Sequence, residues 1–465
     1  MSKGSKIIKS SILSIIAVLC LSSVSYAEIS KMPVSMDLVQ ALTYTYNNNP
    51  ALQAELEKLK ISGTEVFKAS AEFLPEVRAS LDRGKDYQNV KIRNIPNTQI
   101  DGGVSADSIQ IKQPIFNSGS SIFGLKASKK AFFSNVASFA NTEQQVLLSA
   151  IQAYNNVLYT KEALDINVYN VKVLTKSLRY AEERFAVGDA TKADVAEAQA
   201  HLSRGITAKV QAVGSYETAK AIYKQIIGVE PINLAMIQEI KDINTNLQDL
   251  INIASNNHPE VIAAKLGVDY KKDLLVRSKL VILPSASVSA SASAQNSPNY
   301  GQNTKVYDKK VMLNIQIPIY QSGLEYMSVR KNKIDVQESK YTLQKIRDQV
   351  TEKVIEGWSN LLASKEAFKS AADTVEAATI TLDNMKQEEE VGTRTILDVL
   401  EAESRLFRTK LEYNDIKYKK LLNVYILKAA IGELTAQKLK LPVKIFDANA
   451  YYDKAKKQIF GFSAE

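Results

Sequence analysis

Cysteine is almost missing from this chain: Cys20 is the single one among 465 residues. It lies inside an apolar run from Ile12 to Leu21, after the bulky Leu19, so it does not read as a lipid-attachment cysteine. Lys3, Lys6 and Lys9 precede that run and Ser25-Tyr26-Ala27 follows it, the order of a signal peptide (residues 1–27) cleaved after Ala27. The expected mature chain then has no cysteine, which excludes disulfides and thiolate metal sites. Histidine is equally scarce: His201 and His258 stand alone, with no ligand spacing around either. There is no phosphate-cradling glycine loop, nucleophile elbow or zinc spacing, so an enzyme, cofactor or metal reading has no residues to stand on. No run after residue 27 approaches the roughly 18 apolar residues of a membrane helix. A β-barrel, the other structure that can cross lipid, stays open. The formal charge of +9 includes the three lysines of residues 1–27, so +6 is left, scattered among acids. No nucleic-acid motif accompanies it, and the charge reads as a solvated surface.

Proline is absent from 120–187 and again from 324–391. That symmetry points to the dominant feature, an internal duplication. Asn48-x-Pro50 returns as Asn257-x-Pro259, and Leu74-Pro75 as Leu283-Pro284, 209 residues later. Ile111–Gly119 returns as Ile315–Gly323, 204 residues later, as do Gly188 as Gly392, Asp194 as Asp398, Glu197 as Glu401 and Gly228 as Gly432. Such a period is far beyond that of a solenoid and marks a doubled half-molecule. The five-residue change of register falls between Pro75 and Pro114, where an exposed loop would tolerate it.

Each half reads as helix, strand pair, long helix, turn, helix. Residues 51–73 and 260–282 start beside a proline and stop at Leu-Pro. Ala286, Val288, Ala290, Ala292 and Ala294 alternate with serines, and Val311, Leu313, Ile315 and Ile317 with Met312, Asn314 and Gln316. Val77, Ala79 and Leu81 against Arg78, Ser80 and Asp82, then Ile109 and Ile111 against Gln110 and Lys112, repeat this in the first half. Period two with one apolar and one polar face is the strand signature. Pro114 and Pro318 are expected to end the strands. The proline-free stretches carry apolar residues three and four apart, among them Leu147, Ile151, Tyr154, Leu158, Val168, Leu174 and Phe185. At 1.5 Å per residue each predicts a helix of roughly 100 Å, long enough for a coiled-coil-like assembly. The return helices, 191–227 and 395–431, would stack with the short ones into rods of nearly that length. The expected divisions are residues 28–233 as the first repeat, 234–250 as a linker, 251–436 as the second repeat and 437–465 as a C-terminal segment.

Four strands cannot close a barrel, and membrane barrels begin at about eight. Either several chains share one barrel or the strands are not in lipid.

Val391-Gly392-Thr393-Arg394-Thr395-Ile396-Leu397-Asp398-Val399-Leu400, followed by Glu401, resembles the inter-helix tip of the TolC family of outer-membrane channels. The doubled Asn-x-Pro, Leu-Pro and Pro-Ile-x-x-Ser-Gly landmarks resemble that family too, over residues 36–436. The resemblance implies an α+β membrane protein: a homotrimer whose twelve strands form one barrel in outer-membrane lipid, continued by a periplasmic α-helical barrel. Residues 234–250 and the C-terminal segment would form an equatorial belt. It implies the exit duct of a tripartite exporter for drugs or secreted proteins. Its partners would be a periplasmic adaptor and an inner-membrane ABC or proton-driven transporter. A periplasmic long-helix adaptor or a fibrous adhesin is the other reading. The adaptor would need lipoyl-like flanks and the adhesin continuous heptads with an anchor.

Gly188 and Gly392 sit where a long helix reverses, which a C-cap glycine explains by itself. The resemblance adds that Val187, Gly188, Val391, Gly392 and Thr393 lie on adaptor-docking tips. Asp398 and Glu401 share a helix face, and in a trimer each would form a ring of three carboxylates at the constriction. Arg394 is four residues from Asp398, which allows a local pair. The family instead sets this arginine against an aspartate on the neighbouring tip, matched here by Asp194. Glu389 departs from the family pattern, which has a tyrosine in that lock.

Overall fold

A computed structural model describes residues 36–91, 93, 98–237, 246–299 and 302–457. The expected signal peptide and its cleavage site lie outside these residues. The elements run α1 Leu38–Asn48, α2 Pro50–Ala71, β1 Glu76–Val90, β2 Thr98–Phe116, α3 Ser120–Ala186, α4 Lys192–Ile227 and α5 Leu247–Asn257, then α6 Pro259–Leu280, β3 Ser285–Asn299, β4 Gln302–Gln316, α7 Leu324–Glu390, α8 Ile396–Ala430 and α9 Ala448–Lys457. The duplication is visible element by element. α3 and α7 are each 67 residues long, and β3 begins and ends 209 residues after β1. The five extra residues fall between β1 and β2, which are separated by seven residues in the chain where β3 and β4 are separated by two.

α1 and α5, each of 11 residues, are helices that the pattern reading did not separate. α5 starts within the span expected to be linker, of which residues 238–245 are outside the described residues. Asn246 caps α5 by accepting from the Gln248 amide, and Asp37 closes a capping box on α1.

The strands form one antiparallel sheet in the order β1-β2-β3-β4. The register aligns Val77, Ile111, Ala290 and Val311 in one row and Ala79, Ile109, Ala292 and Lys309 in the next on that face. The opposite face carries Arg78, Gln110, Ser291 and Lys310. The period-two expectation therefore holds in all four strands, although β4 stops at Gln316, short of Ile317 and Pro318. Pro114 does not end β2, which continues to Phe116 through a register shift between the two residues. A residue without an amide hydrogen is accommodated at such an irregularity. Both edges, β1 and β4, are unpaired in the chain, and Val311, Leu313 and Ile315 are exposed along β4.

The helices form a wall. α3 packs on α2 and α4 along one side and on α6 and α8 along the other, and α7 packs on α6 and α8. Each pair of short helices thus acts as one rod beside a long helix. The order across the wall is α2 with α4, α3, α6 with α8, α7. The main core lies at mid-height, where Leu147, Ile151, Tyr154 and Leu158 of α3 are buried as their spacing predicts. Further towards the tips, Val168 and Phe185 are 45% and 47% exposed. α9 closes over α2, where Tyr451 donates from its hydroxyl to the Lys60 carbonyl at 3.1 Å and stacks near Phe132.

Candidate functional site: the helix tips

At the far end from the sheet, α3 and α7 both reverse by the same device. Gly188 and Gly392 have φ of 90° and 78°, a left-handed conformation that glycine adopts without a Cβ clash. The Asp189 amide donates to the Arg184 carbonyl at 2.9 Å, and the Thr393 amide to that of Glu388 at 2.9 Å. These bonds satisfy the last turn's carbonyls and end each helix. They leave Val187 and Val391 each 74% exposed at the extreme tip.

α4 and α8 begin with matching capping boxes. The Asp194 carboxylate accepts from the Thr191 amide and hydroxyl, both at 2.8 Å. Asp398 accepts likewise from Thr395, at 3.0 and 2.9 Å. The amide hydrogen bonds, seconded by the hydroxyls, hold both carboxyls below the usual aspartate range. Glu401 is exposed one turn further along α8.

Arg394 pairs with Glu388, Nε to Oε2 at 2.8 Å. Within the single chain, then, Arg394 turns to its own helix end and Asp194 serves its own cap. Among the described residues no hydrogen bond or ion pair joins Arg394 to Asp194, and Asp398 acts on Arg394 through its charge without pairing with it.

The residue that departs from the family pattern has a definite place. Glu389 is 6% exposed, and its carboxylate accepts from the Arg184 guanidinium and from the Tyr180 hydroxyl at 3.3 Å. Arg184 and Tyr180 belong to α3 and Glu389 to α7, so this cluster ties the two hairpins together at the tip. A second buried carboxylate, Glu403 on α8, accepts from Ser177 of α3 at 3.1 Å and pairs with Lys386 of α7 at 3.2 Å. Further up, Lys417 and the Tyr418 hydroxyl of α8 reach Glu162 of α3 at 2.7 and 2.8 Å. Asn155 donates to the Tyr418 carbonyl and Asn414 to the Tyr159 carbonyl, each at 3.1 Å. The α3–α8 seam is thus a run of directional polar contacts. Sequence reasoning singled out only Glu389 among these. The others need knowledge that α3 and α8 lie side by side.

The long reversing helices, the doubled hairpins and the open four-stranded sheet define a class, the outer-membrane export channels. The chain belongs to the outer membrane efflux protein family, whose pattern matches residues 42–229 and 250–433. It is similar to the outer membrane efflux protein BepC of Brucella suis, 26% identical over 434 residues covering 92% of each chain. It is also similar to the outer membrane protein TolC of Escherichia coli, 25% identical over 430 residues, 89% of this chain and 86% of that one. Its fold matches the CmeC outer membrane channel of Campylobacter jejuni, with a TM-score of 0.77 at 15% identity, over 95% of this chain and 98% of that one.

Proposed function

We propose that three copies of this chain close one twelve-stranded barrel in the outer membrane and one helical tube beneath it, forming the exit duct of a tripartite exporter. One observation carries this reading: a sheet with an exposed apolar face and two unpaired edges joined to a wall of long helices. Open edges are not tolerated in lipid, and a ring of sheets removes them. β4 of one protomer then pairs with β1 of the next, and the wall's own edges, α7 and the α2–α4 rod, meet in the same way.

The tips form the closed entrance. Val187, Gly188, Val391, Gly392 and Thr393 present the surface to which a periplasmic adaptor docks, and an inner-membrane ABC or proton-driven transporter supplies the energy. Asp398 and Glu401 line the constriction as two rings of carboxylates. Arg394 and Asp194 hold adjacent tips together. Glu389 with Arg184 and Tyr180 adds a tie between the two hairpins of each protomer. Mass measurement of the detergent-solubilised protein should give three chains per particle. A stable monomer that retains its strand content would refute the shared barrel.

A further inference from the structure

We infer that the upper, lipid-facing rim of the sheet binds the phosphate groups of an outer-leaflet glycolipid of the lipid A type. The inference rests on the membrane placement proposed above and adds a ligand to it. The helices adjoin the sheet at one end, so the strand ends at Val90, Thr98, Asn299 and Gln302 lie at the other, the outer side of the membrane. In lipid the apolar face must point outward.

That face changes character towards the turns. On β1, Val77, Ala79 and Leu81 give way to Arg83 and Lys85; on β4, Ile315, Leu313 and Val311 give way to Lys309 and Lys305. The register places Arg83, Ser105, Asn296 and Lys305 in one row across the sheet. Tyr307 and Tyr87 stand among these cations, 76% and 65% exposed, as aromatic residues do at a membrane boundary.

Among the described residues the charge on this face is only partly balanced by ion pairs. The opposite face pairs Arg78 with Glu76 and Lys310 with Asp308, both at 2.5 Å. On the lipid face Arg83 takes Asp107 at 2.5 Å. Lys85, Lys305 and Lys309 have no carboxylate partner among the described residues. The remaining acid on this face, Asp101, lies at the level of Tyr87, nearer the turn. Lys305 is level with Arg83, and Lys309, two rows lower beside Ala79, reaches upward along its apolar stem, so that both extend towards the headgroup layer, where phosphate supplies the missing negative charge.

From the level of Tyr307 and Lys309 downward the surface has the shape an acyl chain needs. A shallow groove of about 400 Å³ is lined by Leu81, Ile109, Ala294, Tyr307 and Lys309, with Asp107, the partner of Arg83, also on its wall. It continues downward past Ile111, Ala290 and Val311, again with Lys309 on its wall. A ligand with phosphate above and acyl chains below fits both halves. The cations stand on the two edge strands, so barrel closure gathers Lys305 and Lys309 of one chain with Arg83 and Lys85 of the next at each seam.

The test is native mass spectrometry of the full-length trimer in detergent, titrated with diphosphoryl lipid A and with the same lipid stripped of its phosphates. The phosphorylated form should bind roughly tenfold tighter or more. A chain carrying Lys305→Gln and Lys309→Gln should lose most of that preference while still weighing as a trimer. Equal binding of the two lipids by the wild type would overturn the inference, and so would a preference unchanged in the double variant. The same spectra weigh the particle, so loss of the trimer, which bears on the assembly, is told apart from loss of lipid.

Discussion

Asn49 and His258 hold the same post in the two halves of the chain. Each ends one short helix and starts the next, and each caps with its side chain: Asn49 accepts from the Ala51 amide at 3.0 Å and His258 Nδ1 from the Glu260 amide at 3.2 Å. Each also joins the rod's two segments. Asn49 donates to the Ile226 carbonyl at the end of α4 at 2.9 Å, and His258 packs against Gly432 just past the end of α8. The substitution of an imidazole for an amide adds a titratable group to a buried joint.

That joint should be pH-sensitive. Burial lowers the His258 imidazole below its ordinary value, and an acceptor nitrogen must be unprotonated. A depressed folded-state value gives a stabilisation that is complete above the ordinary imidazole range, near pH 6.5. It is lost as pH falls through the lowered folded-state value. His258→Asn keeps a capping acceptor and removes the titration, so its melting temperature should drop less than the wild type's on acidification from about pH 7.5 to 5. His258→Ala should cost about 1 kcal/mol at neutral pH through the lost cap. Parallel pH curves for wild type and His258→Asn would clear His258 of this role.

The Glu389 tie should help hold the entrance shut. Glu389→Gln and Arg184→Ala should each raise single-channel conductance in planar bilayers. The double variant should conduct little more than either single one, because the two groups act as a unit. Additive increases would mean that they act separately.

Ion selectivity should come from the carboxylate rings. Asp398→Ala with Glu401→Ala should flatten the cation preference and abolish block by multivalent cations added from the periplasmic side. Full block persisting in that variant would put the rings elsewhere.

A lock between adjacent tips makes a different demand on Asp194 and Arg394. In the single chain Asp194 is engaged with Thr191 and Arg394 with Glu388, so the lock has to form across protomers. Arg394→Ser should open the channel without dissociating the trimer, and Asp194→Ala should open it too. If Asp194→Ala conducts like the wild type while Arg394→Ser opens, the arginine works through Glu388 instead.

Much of this architecture was legible because the chain repeats it. Two noisy copies of a strand pattern, read against each other, located all four strands and placed the length difference in one turn. The long helices followed from missing prolines and from the glycines that end them. Local signals ran out where contacts are remote. Leu361 and Leu362 lie three and four residues after Trp358, a core-like spacing, yet Leu361 is buried and Leu362 is 45% exposed. Val168 and Phe185 fit the apolar period yet lie where the wall is thin. The Glu389 cluster and the α3–α8 seam join residues more than 200 apart, and no period reports such a meeting. α1 and α5 were missed because 11 residues carry barely three turns of pattern.

The two halves have not kept their seams alike. Inside a protomer, α3 meets α8 through Asn155, Glu162, Asn414, Lys417 and Tyr418. In the trimer proposed above the equivalent meeting would be α7 against the next protomer's α4, and 204 residues away those posts hold Ser359, Glu366, Val210, Val213 and Gly214. Val210 and Val213 are 64% and 40% exposed in the single chain. A tube built this way consists of three stitched staves with three slippery joints. When it dilates, the staves should travel whole and the joints should slide, so the fault lines of the duct were set when its two halves diverged.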